Sequence, residues 1–214
     1  MSDKVDVKRT LASYRAPKGR FEIIDMPDLQ YLMIDGFGDP NGDDYSEALR
    51  CLYPVAYKLK FASKRELGRD YVVPPLEGLW WADDMRLFTT ARDKSRWHWT
   101  MMIMAPEWIS PTMVQAAVAA AASAEASSGP AGGRAARTRL FSEVRLEALA
   151  EGRCVQTLHI GSYDDESDIL HEMHTEFLPS HGLQLTGKHH EIYLSDPRKT
   201  APENLRTILR QPVR

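Results

Sequence analysis

The sequence predicts an α+β protein made of two β-α-β-β modules related by a pseudo-twofold axis, joined by a helical connection and enclosing a central ligand groove. Three observations carry this. Two acidic helix starts, at Asp43-Asp44 and Asp164-Asp165, each follow a β-rich run and a glycine turn. Two later strands each carry a glutamate among large apolar residues, Glu77-Gly78-Leu79-Trp80-Trp81 and Glu191-Ile192-Tyr193-Leu194. An alanine-rich run with high helix propensity separates the two sets.

Residues 1–20 are polar and basic without a settled period, and read as an arm over the surface, too short for a helix-turn-helix domain. The first module spans 21–110. Phe21–Met26 and Tyr31–Ile34 are β-rich, broken at Pro27-Asp28 and closed by Gly36-Phe37-Gly38. From Asp43, apolar residues at helical steps through Ala62 predict a helix that Pro54 kinks without ending. The Pro74-Pro75 pair before the Glu77–Trp81 strand suggests an edge or a bulge, and Trp97–Met104 is a further strand.

The connector spans 111–152. A helix starts at Pro111, a flexible loop is expected near 127–136 from its Ser, Gly and Pro content, and Arg137–Ala150 reads as a second, amphipathic helix. The second module, 153–214, repeats the first: strand Cys154–Tyr163 with its own glycine turn and tyrosine, a helix with Ile169, Leu170, Met173, Phe177 and Leu178 along one stripe, strand Gln184–Leu194 and a last strand within Asn204–Val213. Two open sheets of this kind would pair about a pseudo-twofold axis, with residues 21–214 forming one unit.

Composition limits the function classes. Over 214 residues, 43% hydrophobic and 27% charged content is ordinary for a globular chain, and a formal net charge of -3 disfavours a partner rich in phosphates. No nucleic acid and no membrane is expected as partner, no secretory signal opens the chain, and a cytoplasmic monomer or weak homodimer is the expectation. Cys51 and Cys154 have no metal-ligand spacing and read as reduced buried thiols. His171-Glu172-Met173-His174 is one residue short of the zinc-binding H-E-x-x-H, and His189 and His190 point to opposite faces, so no metal is expected.

Alternation places Glu191 and Tyr193 on one face of their strand, with Ile192 and Leu194 on the other. A carboxylate beside a tyrosine in a partly dry groove suits general-base work or a cationic ligand; the bland alternative is an exposed strand glutamate. Glu77 reads as the pseudo-symmetric mate of Glu191, or as a solvated strand-start carboxylate. Trp80 and Trp81 cannot share a face, Trp97 and Trp99 do, and with Trp108 these tryptophans either pack the core or face a flat or cationic ligand. Tyr53 and Tyr57, one helical turn apart, either offer hydroxyls to the groove or cap the core.

The His190–Pro197 run H-E-I-Y-L-S-D-P, the Ile160–Asp164 turn I-G-S-Y-D and the duplicated order together resemble the GyrI-like small-molecule-binding superfamily. This is the fold of DNA gyrase inhibitor proteins and of drug-sensing domains in multidrug transcription regulators, and the resemblance runs from about Phe21 to the C-terminus. Within it, E-G-L-W-W at Glu77–Trp81 and L-Y-P-V-A-Y-K-L-K-F at Leu52–Phe61 resemble a stand-alone bacterial subgroup. That subgroup hydrolyses cyclopropane-bearing, DNA-alkylating antibiotics of the yatakemycin type in an aromatic cage. The resemblance implies a free-standing xenobiotic binder or a cofactor-independent hydrolase conferring drug resistance. It implies Glu191 and Tyr193 as catalytic residues, and Tyr53, Tyr57, Glu77, Trp80, Trp81, Trp99 and Trp108 as ligand-binding ones. The non-catalytic alternative is sequestration or sensing of amphipathic cationic drugs.

Overall fold

A computed structural model describes residues 4–83, 93–128 and 134–214. Its centre is one antiparallel eight-stranded sheet: β1 (Glu22–Met26), β2 (Leu29–Phe37), β3 (Leu76–Trp81), β4 (His98–Ala105), β5 (Arg145–Leu149), β6 (Gly152–Ile160), β7 (His189–Tyr193) and β8 (Arg206–Pro212). The spatial order is β1-β6-β8-β7-β3-β4-β2-β5. The halves therefore join where β3 pairs with β7, and the two open sheets become one. Pro74 and Pro75 precede β3, which is a central strand and not the edge that the prolines suggest.

Gly78 lies directly opposite Glu191 in this pairing. Gly78 in turn faces Met101 on β4, and Glu191 faces Leu209 on β8, so a twofold axis through the Gly78–Glu191 pair relates the halves. The equivalence of Glu77 with Glu191 is thus corrected by one residue, and that single step moves a side chain to the other face. The outermost strands are exchanged: β1 precedes β2 but pairs β6, while β5 precedes β6 but pairs β2.

Residues 145–149 are the main departure from the expected elements. R-L-E-A-L has helical propensity, and the helix expected over Arg137–Ala150 is present only as far as Phe141 in α4 (Arg134–Phe141). The open edge of β2 takes the following segment as a strand, with Leu32 opposite Leu146, so sheet completion overrides local preference. The expected loop near 127–136 lies in part outside the described residues.

One face of the sheet is covered by helices. The long α2 (Asp43–Glu66) has Asp43 and Asp44 in its first turn and Lys64 and Arg65 in its last, matching the helix dipole, and runs through Pro54 unbroken. Its Leu52, Val55, Ala56 and Leu59 pack on Leu32, Ile34, Met101 and Ile103. Burying four such side chains is worth about 1.5–3 kcal/mol for each large one. The alanine-rich α3 (Pro111–Ser128) lies behind α2, adding Val114, Ala117 and Ala121 to that core. Over the second half, α5 (Glu166–Glu172), a π-helical turn (Met173–Phe177) and α6 (Leu178–Ser180) form one continuous coil, with Met173 and Leu178 on Val155, Leu209 and Val213.

The opposite face is covered by the N-terminal segment, which includes the short α1 (Val7–Thr10) and supplies Val7 and Tyr14 to a core with Tyr31, Leu79, Met102, Ile192 and Ile208. A buried polar chain fastens it. Tyr14 Oη donates to Glu77 Oε1 at 2.5 Å, His190 bridges Glu77 Oε2 and Glu151 Oε1 at 3.0 Å each, and Arg210 reaches Glu151, Gln156 and the Ser13 carbonyl. Cys51 and Cys154 are buried thiols, not joined in a disulfide.

Burial pushes the His190 imidazole down, but Glu151 and Glu77 outweigh it and hold its pKa above the ordinary value. A pKa raised on folding adds stability that is complete below about pH 6.5 and is lost as pH rises through the folded value. Urea unfolding should therefore show stability falling as the pH rises above about 6.5. His190→Gln should remove that slope and cost about 3 kcal/mol at pH 6, because it leaves two carboxylates buried beside one arginine.

Candidate functional site

The helix-covered face carries the candidate site at the junction of the halves. Glu191 projects from β7 over Gly78 and is 8% exposed. Tyr193 Oη donates to Glu191 Oε2 at 2.7 Å and accepts from Trp80 Nε1 at 2.9 Å. Donors thus run in one direction, indole to phenol to carboxylate. The other carboxylate oxygen, Oε1, lies 3.4 Å from His189 Nε2.

Gly78 makes this chain possible. A Cβ there would lie 2.8 Å from Trp80 Nε1 and 3.2 Å from Tyr193 Oη, so a side chain would displace the hydrogen bond. Gly36 does the same for Trp99, whose six-membered ring occupies the place of a side chain on β2.

Aromatic rings surround the carboxylate. Tyr45, from the first turn of α2, is stacked on Trp80 at 6.2 Å and meets Trp99 edge-on at 5.4 Å. Trp97 meets Trp80 edge-on at 5.9 Å, and Tyr163 meets Tyr193 edge-on at 5.6 Å. Trp80 and Tyr193 each stand two residues beyond the axial pair, and each is covered by a tyrosine from the helix start of its own half. Burial, with the nearby Glu191 carboxylate adding to it, pushes the Tyr45 hydroxyl upward. For Tyr163 burial comes first, then Glu166 and Glu191, and its pKa rises to about 12. Both phenols are therefore protonated donors at neutral pH. Glu166, 3% exposed at the start of α5, is a second carboxylate on the Tyr163 and Tyr193 side.

Several expected ligand residues stand elsewhere. Glu77 is on the reverse face, 1% exposed and held by Tyr14 and His190, because it neighbours Gly78 rather than matching Glu191. Trp81 also faces the reverse side, stacked on His98 at 5.4 Å with Lys188 Nζ 3.4 Å from its ring centre. Trp108 donates to Ser63 Oγ at 3.0 Å and packs edge-on to Tyr71. Ser63 is five turns along α2 from Tyr45, about 27 Å away at 1.5 Å per residue. Tyr53 is half-buried near Arg198 and Asp196, at the rim, while Tyr57 is 49% exposed one turn further on. Trp80 and Trp99 stand in the cluster as expected.

Tyr45, Tyr163, Glu166 and His189 were missing from the expected set. For the two tyrosines the signal was present: each half runs strand, glycine turn, tyrosine, and those tyrosines cover the cluster. Among the described residues no group of three or more His, Cys, Asp or Glu is placed to hold a metal ion. None of the described helices is long and apolar enough to cross a membrane.

The description of the GyrI-like small molecule binding domain matches residues 136–214. No curated protein matches the chain. A crystal structure of an uncharacterized conserved protein from Listeria innocua is 37% identical, with 99% of this chain and 100% of that one covered and a TM-score of 0.85. Two crystal structures of hydrolases from Listeria innocua are 35% identical over 99% of this chain and 100% of theirs, with TM-scores of 0.79 and 0.80.

The close approach at Gly78 gives a direct expectation. Gly78→Val should cost about 1–3 kcal/mol through overpacking, read by urea unfolding, and should alter the near-UV circular dichroism of Trp80. Unchanged tryptophan signals would mean that the Trp80–Tyr193–Glu191 chain does not depend on that space.

Proposed function

The chain belongs to the GyrI-like small-molecule-binding family, and from that premise we propose that it is a cofactor-independent hydrolase that opens electrophilic, cyclopropane-bearing xenobiotics in the aromatic cluster around Glu191. The observation that carries this reading is a nearly buried carboxylate held on one oxygen by Tyr193 and ringed by Tyr45, Trp80, Trp99 and Tyr163. Support also comes from the two Listeria innocua hydrolases that share 35% identity over 99% of this chain.

In this mechanism a flat ligand stacks on the aromatic faces with its strained ring toward Glu191. Glu191 takes a proton from water as the water oxygen bonds to a cyclopropane carbon. The strained carbon–carbon bond breaks, and its electron pair passes into the conjugated carbonyl, which becomes a phenolate. In this reading Tyr163, whose pKa of about 12 keeps it protonated, donates a hydrogen bond to that oxygen, since the Tyr193 proton is committed to Glu191. Protonation of the phenolate completes a net addition of water. The chemistry needs no metal or redox partner.

A second reading has its own observation. Glu166 adds a buried carboxylate near Tyr163 and Tyr193, the tyrosines that Glu191 also neighbours, and two carboxylates among aromatic rings suit an amphipathic cation held without chemistry.

Incubation with a yatakemycin-type cyclopropane compound, followed by mass spectrometry of the ring-opened product, separates the two. The wild-type protein should turn over repeatedly, and Glu191→Gln should lower the rate by about 10²–10⁴-fold while ligand still quenches tryptophan fluorescence. An equal rate in the variant would remove Glu191 as the base. Quenching by organic cations with no product from any cyclopropane compound would favour the second reading.

A further inference from the structure

The aromatic cluster around Glu191 is closed. Glu191, Trp80 and Trp99 are 8%, 3% and 1% exposed, and the Tyr45 and Trp80 rings lie 6.2 Å apart, centre to centre. A flat ligand held between two rings needs about 7 Å, twice a carbon–carbon contact distance of about 3.5 Å. Part of the cover must therefore move before a ligand reaches the carboxylate.

The two tyrosines that cover the cluster are held very differently. Tyr45 belongs to α2, a 24-residue helix anchored in the core by Leu52, Val55, Ala56 and Leu59. Tyr163 opens a three-residue 3-10 turn, Tyr163–Asp165, that has no buried residue. Gly161 precedes this turn at φ 153°, where a Cβ would lie 3.0 Å from His159 Nε2, so glycine is required at that joint. Its N–H donates to the Leu205 carbonyl at 3.0 Å and fixes the joint to the body of the second half. Beyond it, Ser162 Oγ donates to Asp165 Oδ2 at 2.7 Å and Asp165 N–H donates to the Ser162 carbonyl at 3.1 Å, so the turn holds together as a unit. His159 Nε2 lies 3.0 Å from the Ser162 carbonyl. From the first half, Lys94 crosses to the same turn. It stands in the 3-10 turn Lys94–Arg96 that leads into β4, and its Nζ lies 2.9 Å from Asp164 Oδ1. These side chains are 28% and 77% exposed, so water and salt weaken the pair and it opens at small cost.

We propose that the Tyr163 turn is the gate through which ligands enter, hinged at Gly161 and strapped shut across the two halves by Lys94 and Asp164. Opening carries Tyr163 away from Tyr193, which it meets edge-on at 5.6 Å, and uncovers the side of the cluster where Tyr193 holds Glu191. Tyr45 stays in place with α2 as the fixed wall. Lys94 and Asp164 thus set how fast a ligand enters and leaves, while the rings and Glu191 set how well it is held. As a route for ligands the gate rests on the reading that they are held at Glu191; as a hinged, strapped turn it does not.

Stopped-flow quenching of tryptophan fluorescence by ethidium, a flat aromatic cation, tests the gate. Lys94→Met and Asp164→Asn change the charge in opposite senses, yet each should raise the association and dissociation rates together by about two- to fivefold, as expected for loss of an exposed pair. The exchanged pair, Lys94→Glu with Asp164→Lys, should return both rates to the wild-type values. Added salt should speed release from the wild-type protein and leave release from Lys94→Met unchanged. Association rates that move in opposite directions in the two single variants, with release unchanged, would mean long-range steering and overturn the gate, as would unchanged rates. A measurement without ligand stands beside this one: amide hydrogen exchange over residues 161–166 should quicken in both single variants and recover in the exchanged pair, while β8 keeps its protection. If ethidium does not quench the wild-type protein but the exchange pattern appears, the reading of a ligand site at Glu191 fails and the strapped turn stands; exchange that is the same in all four proteins overturns the strap itself.

Discussion

The pairing of Gly78 with Glu191 at the centre of the sheet is the constraint on which the rest depends. The two halves are built alike, but at the axis one supplies a carboxylate and the other supplies no side chain. Into the space left by that glycine go the Trp80 indole nitrogen and the Tyr193 hydroxyl, which together direct a line of donors at Glu191. A near-symmetric protein thereby makes an asymmetric site. The aromatic rings that complete it come in matched pairs, Tyr45 on Trp80 and Tyr163 on Tyr193, one pair from each half.

The same two central strands hold a second carboxylate with the opposite character. Glu77, on the reverse face, accepts from Tyr14 and contacts His190, which is itself held by Glu151. Its surroundings are made by the protein's own buried side chains, so it fastens the N-terminal segment and leaves nothing for a ligand. Glu191 has one close hydrogen-bond donor on one oxygen and faces aromatic rings. The two carboxylates differ in the next side chains out, since both residues are nearly buried.

Much of the architecture was legible in the sequence because helix starts, glycine turns and strand alternation are local signals. The shared face of Glu191 and Tyr193 and the opposed faces of His189 and His190 follow from alternation alone. What alternation cannot supply is the register between strands 113 residues apart, the separation at which Trp80 bonds Tyr193. Taking Glu77 as the equivalent of Glu191 sets the axis one residue off and brings Glu77 to the wrong face. Similarly, nothing local marks Arg145–Leu149 as a strand, since only the open edge of β2 makes it one. Trp81 and Trp108 resemble the site tryptophans in composition, and their exclusion is a matter of face and of distance along α2.

The central claim is that ligands are held on the helix-covered face, at the axis, by the rings around Glu191. Its most direct test is a crystal structure of the protein soaked with a ring-opened cyclopropane product or an aromatic cation. Density should lie stacked against Tyr45, Trp80 and Tyr163, with a polar atom within hydrogen-bond distance of Glu191. Density confined to the cleft of about 520 Å³ between α2 and α3, lined by Lys58, Phe61, Met113 and Ala117, would contradict it.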